Sequence, residues 1–81
     1  MYYAYILKLN SGKFYIGYTK SIKRRLAEHK NNKTYFVGRE KSFDLIYFEA
    51  FSDIDLAKER EDKLKQYGSA YHGLLKRIKA L

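Results

Sequence analysis

The stretch from Tyr2 to Tyr18 constrains the fold more than any other part of the chain, because two alternating aromatic runs, YYAYILKL and KFYIGY, flank the tripeptide Asn-Ser-Gly. Residues 2–9 place Tyr3, Tyr5, Leu7 and Leu9 on one face and Tyr2, Ala4, Ile6 and Lys8 on the other, the two-residue period of a strand. Asn10, Ser11 and Gly12 read as a three-residue hairpin loop with Gly12 in the left-handed position, leading into a second strand over 13–18. Loop length sets the register. Leu9 should oppose Lys13, Leu7 should oppose Tyr15 and Tyr5 should oppose Gly17, so that Tyr5 and Tyr15 share one face of the sheet. A two-residue loop would separate them.

Thr19 or Ser21 can cap a helix that begins near Ile22 and runs to about Lys30. Its inward stripe is Ile22, Arg25, Leu26 and His29, while Lys23, Arg24, Glu28 and Lys30 point elsewhere. Two polar groups therefore face the sheet, where an unpaired charge is costly and an apolar residue would stabilise more. This is the first sign of a site. Residues 31–42 have no clean period and read as a loop that meets a partner through Lys33, Arg39 and Lys41. A third strand spans Phe43 to Phe51. Ser52 and Asp53 open a second helix that should run to about Tyr67, with Gly68 placed to end it. Its stripe holds Ile54, Ala57, Glu61 and Leu64, with Lys65 at the edge and Leu56 off it. Ser69 starts a last helix whose apolar face is Tyr71, Leu74, Leu75, Ile78 and Leu81; Gly73 weakens it by about 1 kcal/mol relative to alanine. The order β-β-α-β-α-α predicts an α+β fold, one three-stranded antiparallel sheet flanked by helices, as a single domain over residues 1–81.

Composition narrows the partners. The chain has 81 residues, so its core is small, and nine Tyr and five Phe supply much of the apolar area. Without cysteine there is no disulfide framework or thiolate metal site, which points to the cytoplasm. No apolar run approaches the roughly 20 residues of a membrane helix. A net charge of +8 favours a polyanion such as DNA. The excess is concentrated: Lys20, Lys23, Arg24, Arg25, Lys30 and Lys33 stand against the single Glu28.

If the inward polar groups converge, each suits phosphodiester cleavage. Arg25, planar and permanently charged, can clamp phosphate oxygens. A tyrosine with an ordinary pKa of about 10 accepts a proton from water only where cations favour the phenolate, the condition Tyr15 would have to meet. Glu61 could anchor a hard divalent ion, and His29 could hydrogen-bond phosphate or assist proton transfer. Structural readings stand beside these: Tyr5 and Tyr15 as sheet aromatics, Arg25 and Glu61 as an interhelical ion pair, His29 as a packing residue, and Lys65 as a lysine laying its stem along apolar surface.

Four blocks in order, Tyr3-Ala4-Tyr5, Tyr15-Ile16-Gly17, Arg24 to His29 (RRLAEH) and Ala57 to Lys65 (AKEREDKLK), resemble the GIY-YIG nuclease superfamily over nearly the whole chain. The resemblance is to its small, stand-alone bacterial members, which look like the N-terminal domain of the excision-repair nuclease. It implies cleavage of DNA phosphodiester bonds with one Mg²⁺ or Mn²⁺, in repair or recombination. It implies Tyr15 as general base or its activator, Tyr5 near the attacking water, and Glu61 as the metal-binding acid. Arg25 matches the motif arginine, as helical phase also indicates; His29 matches the helix histidine and Lys65 a common downstream lysine. Gly17 would let the helix approach the strand closely. Lys20, Lys23, Arg24 and Lys30, with Lys33, Arg39 and Lys65, would line the path of the phosphate chain. Two departures stand out: Tyr3 occupies the place of the signature glycine, and no Asn follows Asn32, whereas some members use a late asparagine. The second of these, with the lone domain, motivates an alternative, a catalytically weak or inactive nucleic-acid-binding module of the same fold; in either reading target selectivity comes from this module, from a partner protein, or not at all.

Overall fold

The structure, a computed structural model, describes residues 1–30 and 43–80. The expected loop at 31–42, with Lys33, Arg39 and Lys41, and the apolar contact expected of Leu81 lie outside the described residues. The hairpin forms as its loop length dictates. β1 (Tyr2–Leu9) pairs antiparallel with β2 (Phe14–Thr19), with Leu7 opposite Tyr15 and Tyr5 opposite Gly17. Leu9 N–H donates to the Lys13 carbonyl at 2.8 Å and Gly12 N–H to the Leu9 carbonyl at 2.9 Å. Gly12 has φ +91°, the left-handed conformation for which glycine carries no steric penalty.

β3 (Phe43–Phe51) pairs antiparallel on the other side of β1, giving the strand order β2-β1-β3. Its register shifts once. Ile6 opposes Tyr47 but Leu7 opposes Leu45, which leaves Ile46 as an extra residue in a bulge. Ile46 and Tyr47 consequently both pack against the same core cluster.

Each sheet face carries its own core. Tyr5, Leu7 and Leu9 pack with Tyr15, Phe43 and Leu45 against Ile22 and Leu26 of α1 (Ile22–Lys30). On the opposite face, Ile6 and Ile16 meet Leu64 of α2 (Ile54–Leu64) and Leu74 and Leu75 of α3 (Ser69–Arg77). Complete burial of each such aliphatic side chain contributes about 1.5–3 kcal/mol. The expected α+β architecture with element order β-β-α-β-α-α is thus the observed one. No helix among the described residues is long and apolar enough to cross a membrane.

Local chemistry explains the helix ends, with one correction. Ser21 caps α1, its hydroxyl accepting from Arg24 N–H at 3.3 Å, while Thr19 braces the turn by bonding both N–H and C=O of Ser21. Asp53 caps α2 by accepting from Asp55 N–H at 2.8 Å. That helix ends at Leu64 instead of Tyr67, and Tyr67 takes the left-handed conformation (φ 55°) expected of Gly68. The steric penalty of about 1–2 kcal/mol is opposed by the edge-to-face contact of the Tyr67 ring with Tyr71, centroids 4.9 Å apart. Gly68, in extended backbone, precedes α3 as its N-cap.

Gly17 also plays a different part from the one expected. A Cβ there would stand 2.6 Å from the Tyr5 hydroxyl oxygen and 2.7 Å from Cζ, so the glycine admits the ring of its cross-strand partner and not a helix. Gly17→Ala should lower stability by about 1–3 kcal/mol, read as a drop in the urea midpoint at constant slope. Trimming the ring as well, in Gly17→Ala/Tyr5→Leu, should lose clearly less than the sum of the two single changes. Strict additivity would refute the packing argument.

Candidate active site

β2 is an edge strand, and helices on opposite faces of the sheet meet beside it. Together they wall a cleft of about 630 Å³. β2 and the turn after it supply Tyr15, Gly17 and Lys20; α1 supplies Arg24, Arg25 and Glu28; α2 and its cap supply Ile54, Glu61 and Lys65. The sequence stripes thus deliver Tyr15, Arg25 and Glu61 to one solvent-open space. Lys20, Arg24 and Lys65 line it too, whereas Lys23 lines a neighbouring groove and Lys30 is exposed at the far end of α1. Lys33 and Arg39 are outside the described residues.

Tyr5 and His29 lie one layer beneath, each only 1% exposed. The Tyr5 hydroxyl sits 2.9 Å from His29 Nε2 and accepts from Arg25 Nε–H at 3.3 Å. Arginine has only donors, so the phenol is the acceptor in that bond, while in its bond with the imidazole the donor follows the tautomer of the ring. The rings interlock: the centroid of Tyr15 lies 5.1 Å from that of His29 and 6.3 Å from that of Tyr5. Burial, against which the Arg25 hydrogen bond works, pushes the Tyr5 pKa up to about 12. Burial, and next the charge of Arg25, lowers the pKa of His29, so the ring is neutral at neutral pH. For Arg25 itself burial disfavours the charge, but its hydrogen bonds to Tyr5 and Glu28 outweigh it and the pKa is raised. The outcome is a fixed cation at the cleft wall, backed by a buried Tyr5–His29 pair.

The interhelical ion pair that the stripes allowed does not form. Arg25 Nη1 bonds Glu28 at 3.1 Å along its own helix, and Glu61 faces Lys65 Nζ at 3.6 Å along the other. Glu61 keeps 13% of its side chain exposed at the cleft. Among the described residues no three His, Cys, Asp or Glu side chains form a metal-holding group; the cleft lining holds two carboxylates, Glu61 and the Glu28 already paired with Arg25. That donor set fits an ion such as Mg²⁺, which retains several waters, and does not fit a closed structural site.

Two positioning contacts escaped the sequence reading. Glu28 was assigned to the outward face, yet it holds Arg25. Glu49 on β3 receives Arg60 Nε and Nη2 at 3.0–3.2 Å and the Tyr47 hydroxyl at 2.5 Å. This fork ties α2 to the sheet one residue before Glu61. Plain alternation from Phe43 and Leu45 would put Glu49 on the α1 face; the bulge at Ile46 moves it, with Tyr47, to the face that α2 covers.

Comparison with known proteins matches the geometry to a family. The family model for the GIY-YIG catalytic domain matches residues 1–73. The chain is 31% identical over 67 residues to a UPF0213 protein of Staphylococcus epidermidis, covering 82% of each chain. It is 33% identical over 72 residues to a UPF0213 protein of Halobacterium salinarum, covering 86% of this chain and 92% of the relative. The solution NMR structure of a UPF0213 protein from Bacillus halodurans is similar to it with a TM-score of 0.60 and 31% identity, covering 99% of this chain and 87% of the other.

Tyr5→Phe should destabilise the protein by about 1–3 kcal/mol, since it strips both Arg25 Nε and a buried imidazole of a partner. The lowered pKa of His29 also has a pH signature. Between that folded-state pKa and the unfolded value of about 6.5, the unfolded chain binds more protons, so stability should fall as pH falls through this window. Urea midpoints at pH 7.5 and 5.5 should therefore differ more for the native chain than for His29→Gln; equal differences would show that the ring is not held neutral.

Proposed function

Because this chain belongs to the GIY-YIG family, we propose that it is a metal-dependent endonuclease that hydrolyses DNA phosphodiester bonds. The observation that carries the reading is the convergence of Tyr15, Arg25 and Glu61 on one cleft from three separate elements. A phosphate entering there meets the Arg25 guanidinium, whose charge opposes the negative charge that develops on the equatorial oxygens. Tyr15, acting as the phenolate beside the Arg25 cation, takes the proton of the attacking water as the water oxygen bonds to phosphorus and the bond from phosphorus to the sugar oxygen breaks. That sugar oxygen leaves with the bonding pair and takes a proton from solvent. Tyr5 and His29 act from below: they fix the rotamer of Arg25 and the tilt of the Tyr15 ring, so they position the reacting groups without touching them. Glu61 would hold one Mg²⁺ or Mn²⁺, which when bound supplies positive charge beside the phosphate. Lys65 steadies that carboxylate, and Lys20 and Arg24 draw in the phosphate chain.

Residues 1–81 act as one unit in this reading, with DNA repair or recombination in the cytoplasm as the setting. Incubated with duplex, branched and flapped DNA in Mg²⁺, the purified protein should nick at least one substrate. Arg25→Ala and Glu61→Ala should each slow cleavage by about 10²-fold or more. Activity that survives both changes would overturn the mechanism. DNA binding with no cleavage by the native chain, and no effect of Glu61→Ala, would leave a nucleic-acid-binding module of the same fold.

A further inference from the structure

Beside the cleft lies a second concavity of about 330 Å³, lined by Tyr3, Lys20, Ser21, Ile22, Lys23 and Phe48. Its apolar wall is unusual. Phe48 is 52% exposed although its cross-strand partner Tyr5 is 1% exposed, and its ring meets Tyr3 edge to face with centroids 5.9 Å apart. The sheet face that α1 covers over Tyr5 and Leu7 is thus left open over Tyr3 and Phe48. Tyr3 stands where the family signature has glycine, so half of this wall exists only through that departure. The rim is cationic: Lys20 and Lys23 flank the rings, and the first turn of α1 carries no acidic residue. Lys20 lines both this groove and the cleft, so the two adjoin at that residue.

An aromatic face with lysines on one side suits a ligand that is flat and apolar on its face and anionic along its edge. We infer that Tyr3 and Phe48 form a stacking platform for one unpaired base of single-stranded DNA, whose backbone runs past Lys20 into the cleft. A base in a duplex has both faces covered by its neighbours and cannot use the platform. The inference rests on the nuclease reading and gives it a substrate class: DNA with a single-stranded segment next to the phosphate to be cut.

The chain contains no tryptophan, so Phe48→Trp installs a single indole on the platform. With metal omitted, a short single-stranded oligonucleotide should quench it saturably; the same oligonucleotide with abasic sites, or a blunt duplex, should quench it little. Phe48→Ala should weaken single-strand binding on the order of tenfold, leave duplex binding within about twofold, and leave the slope of log K against log salt unchanged, since no phosphate contact is lost. Phe48→Tyr should restore binding. Equal quenching by abasic and intact strands, or equal loss of single-strand and duplex affinity, would overturn the platform. These readings need no cleavage, so a chain that stacks bases but never nicks DNA would sink the nuclease assignment alone. An active nuclease whose Phe48→Ala variant cuts flapped and blunt DNA in unchanged proportion would sink the platform alone.

Discussion

The contact between the Tyr5 phenol and Gly17 is the constraint on which the site depends. The three-residue loop puts these two residues opposite each other, and only a residue without Cβ leaves room for the ring to lie across the strand. Lying there, the hydroxyl reaches Arg25 and His29, two residues one helical turn apart on α1. A two-residue loop would shift β2 by one position and put Tyr15 on the face opposite to Tyr5, separating the phenol from the ring that shares its layer. The polar layer therefore fixes how α1 docks, and with it the place of Tyr15.

The second half of the site is built independently. α2 approaches from the opposite face, and the fork from Arg60 to Glu49 sets its position with little help from α1. Its buried stripe is short, Ala57 and Leu64, while Ile54 is turned to the cleft wall. Packing alone would allow a helix so lightly buried to slide. A bidentate pair about a quarter exposed has little net strength but strong directionality, which is what the placement of Glu61 requires.

The legible parts were those governed by a period or by a loop of fixed length. Strand alternation and the Asn-Ser-Gly turn gave the register of β1 and β2 to the residue, and helical phase separated Arg25 from Arg24. The end of α2 lies three residues before the point that the period implies, with the left-handed residue at Tyr67 rather than Gly68, and the ring contact of Tyr67 with Tyr71 offsets only part of that cost. Gly17 was assigned the right need for space and the wrong neighbour, since a sequence does not say which group will use the space. The bulge at Ile46 was invisible inside the apolar run Leu45 to Phe48, where no polar residue marks the change of phase. Pairings such as Arg60 with Glu49 were illegible for a simpler reason: each partner looked like an ordinary surface charge.

Arg25 and Glu61 belong to separate layers, and each has its ion-pair partner in its own layer, Glu28 on α1 and Lys65 at the end of α2. The protein itself therefore puts no direct clasp between these groups across the mouth of the cleft. Any occupant that touches both becomes the missing staple, coupling two halves of a very small molecule that otherwise communicate through the sheet. Occupancy and rigidity are then linked, and the folded state gains resistance to unfolding in proportion to how well the guest spans the gap.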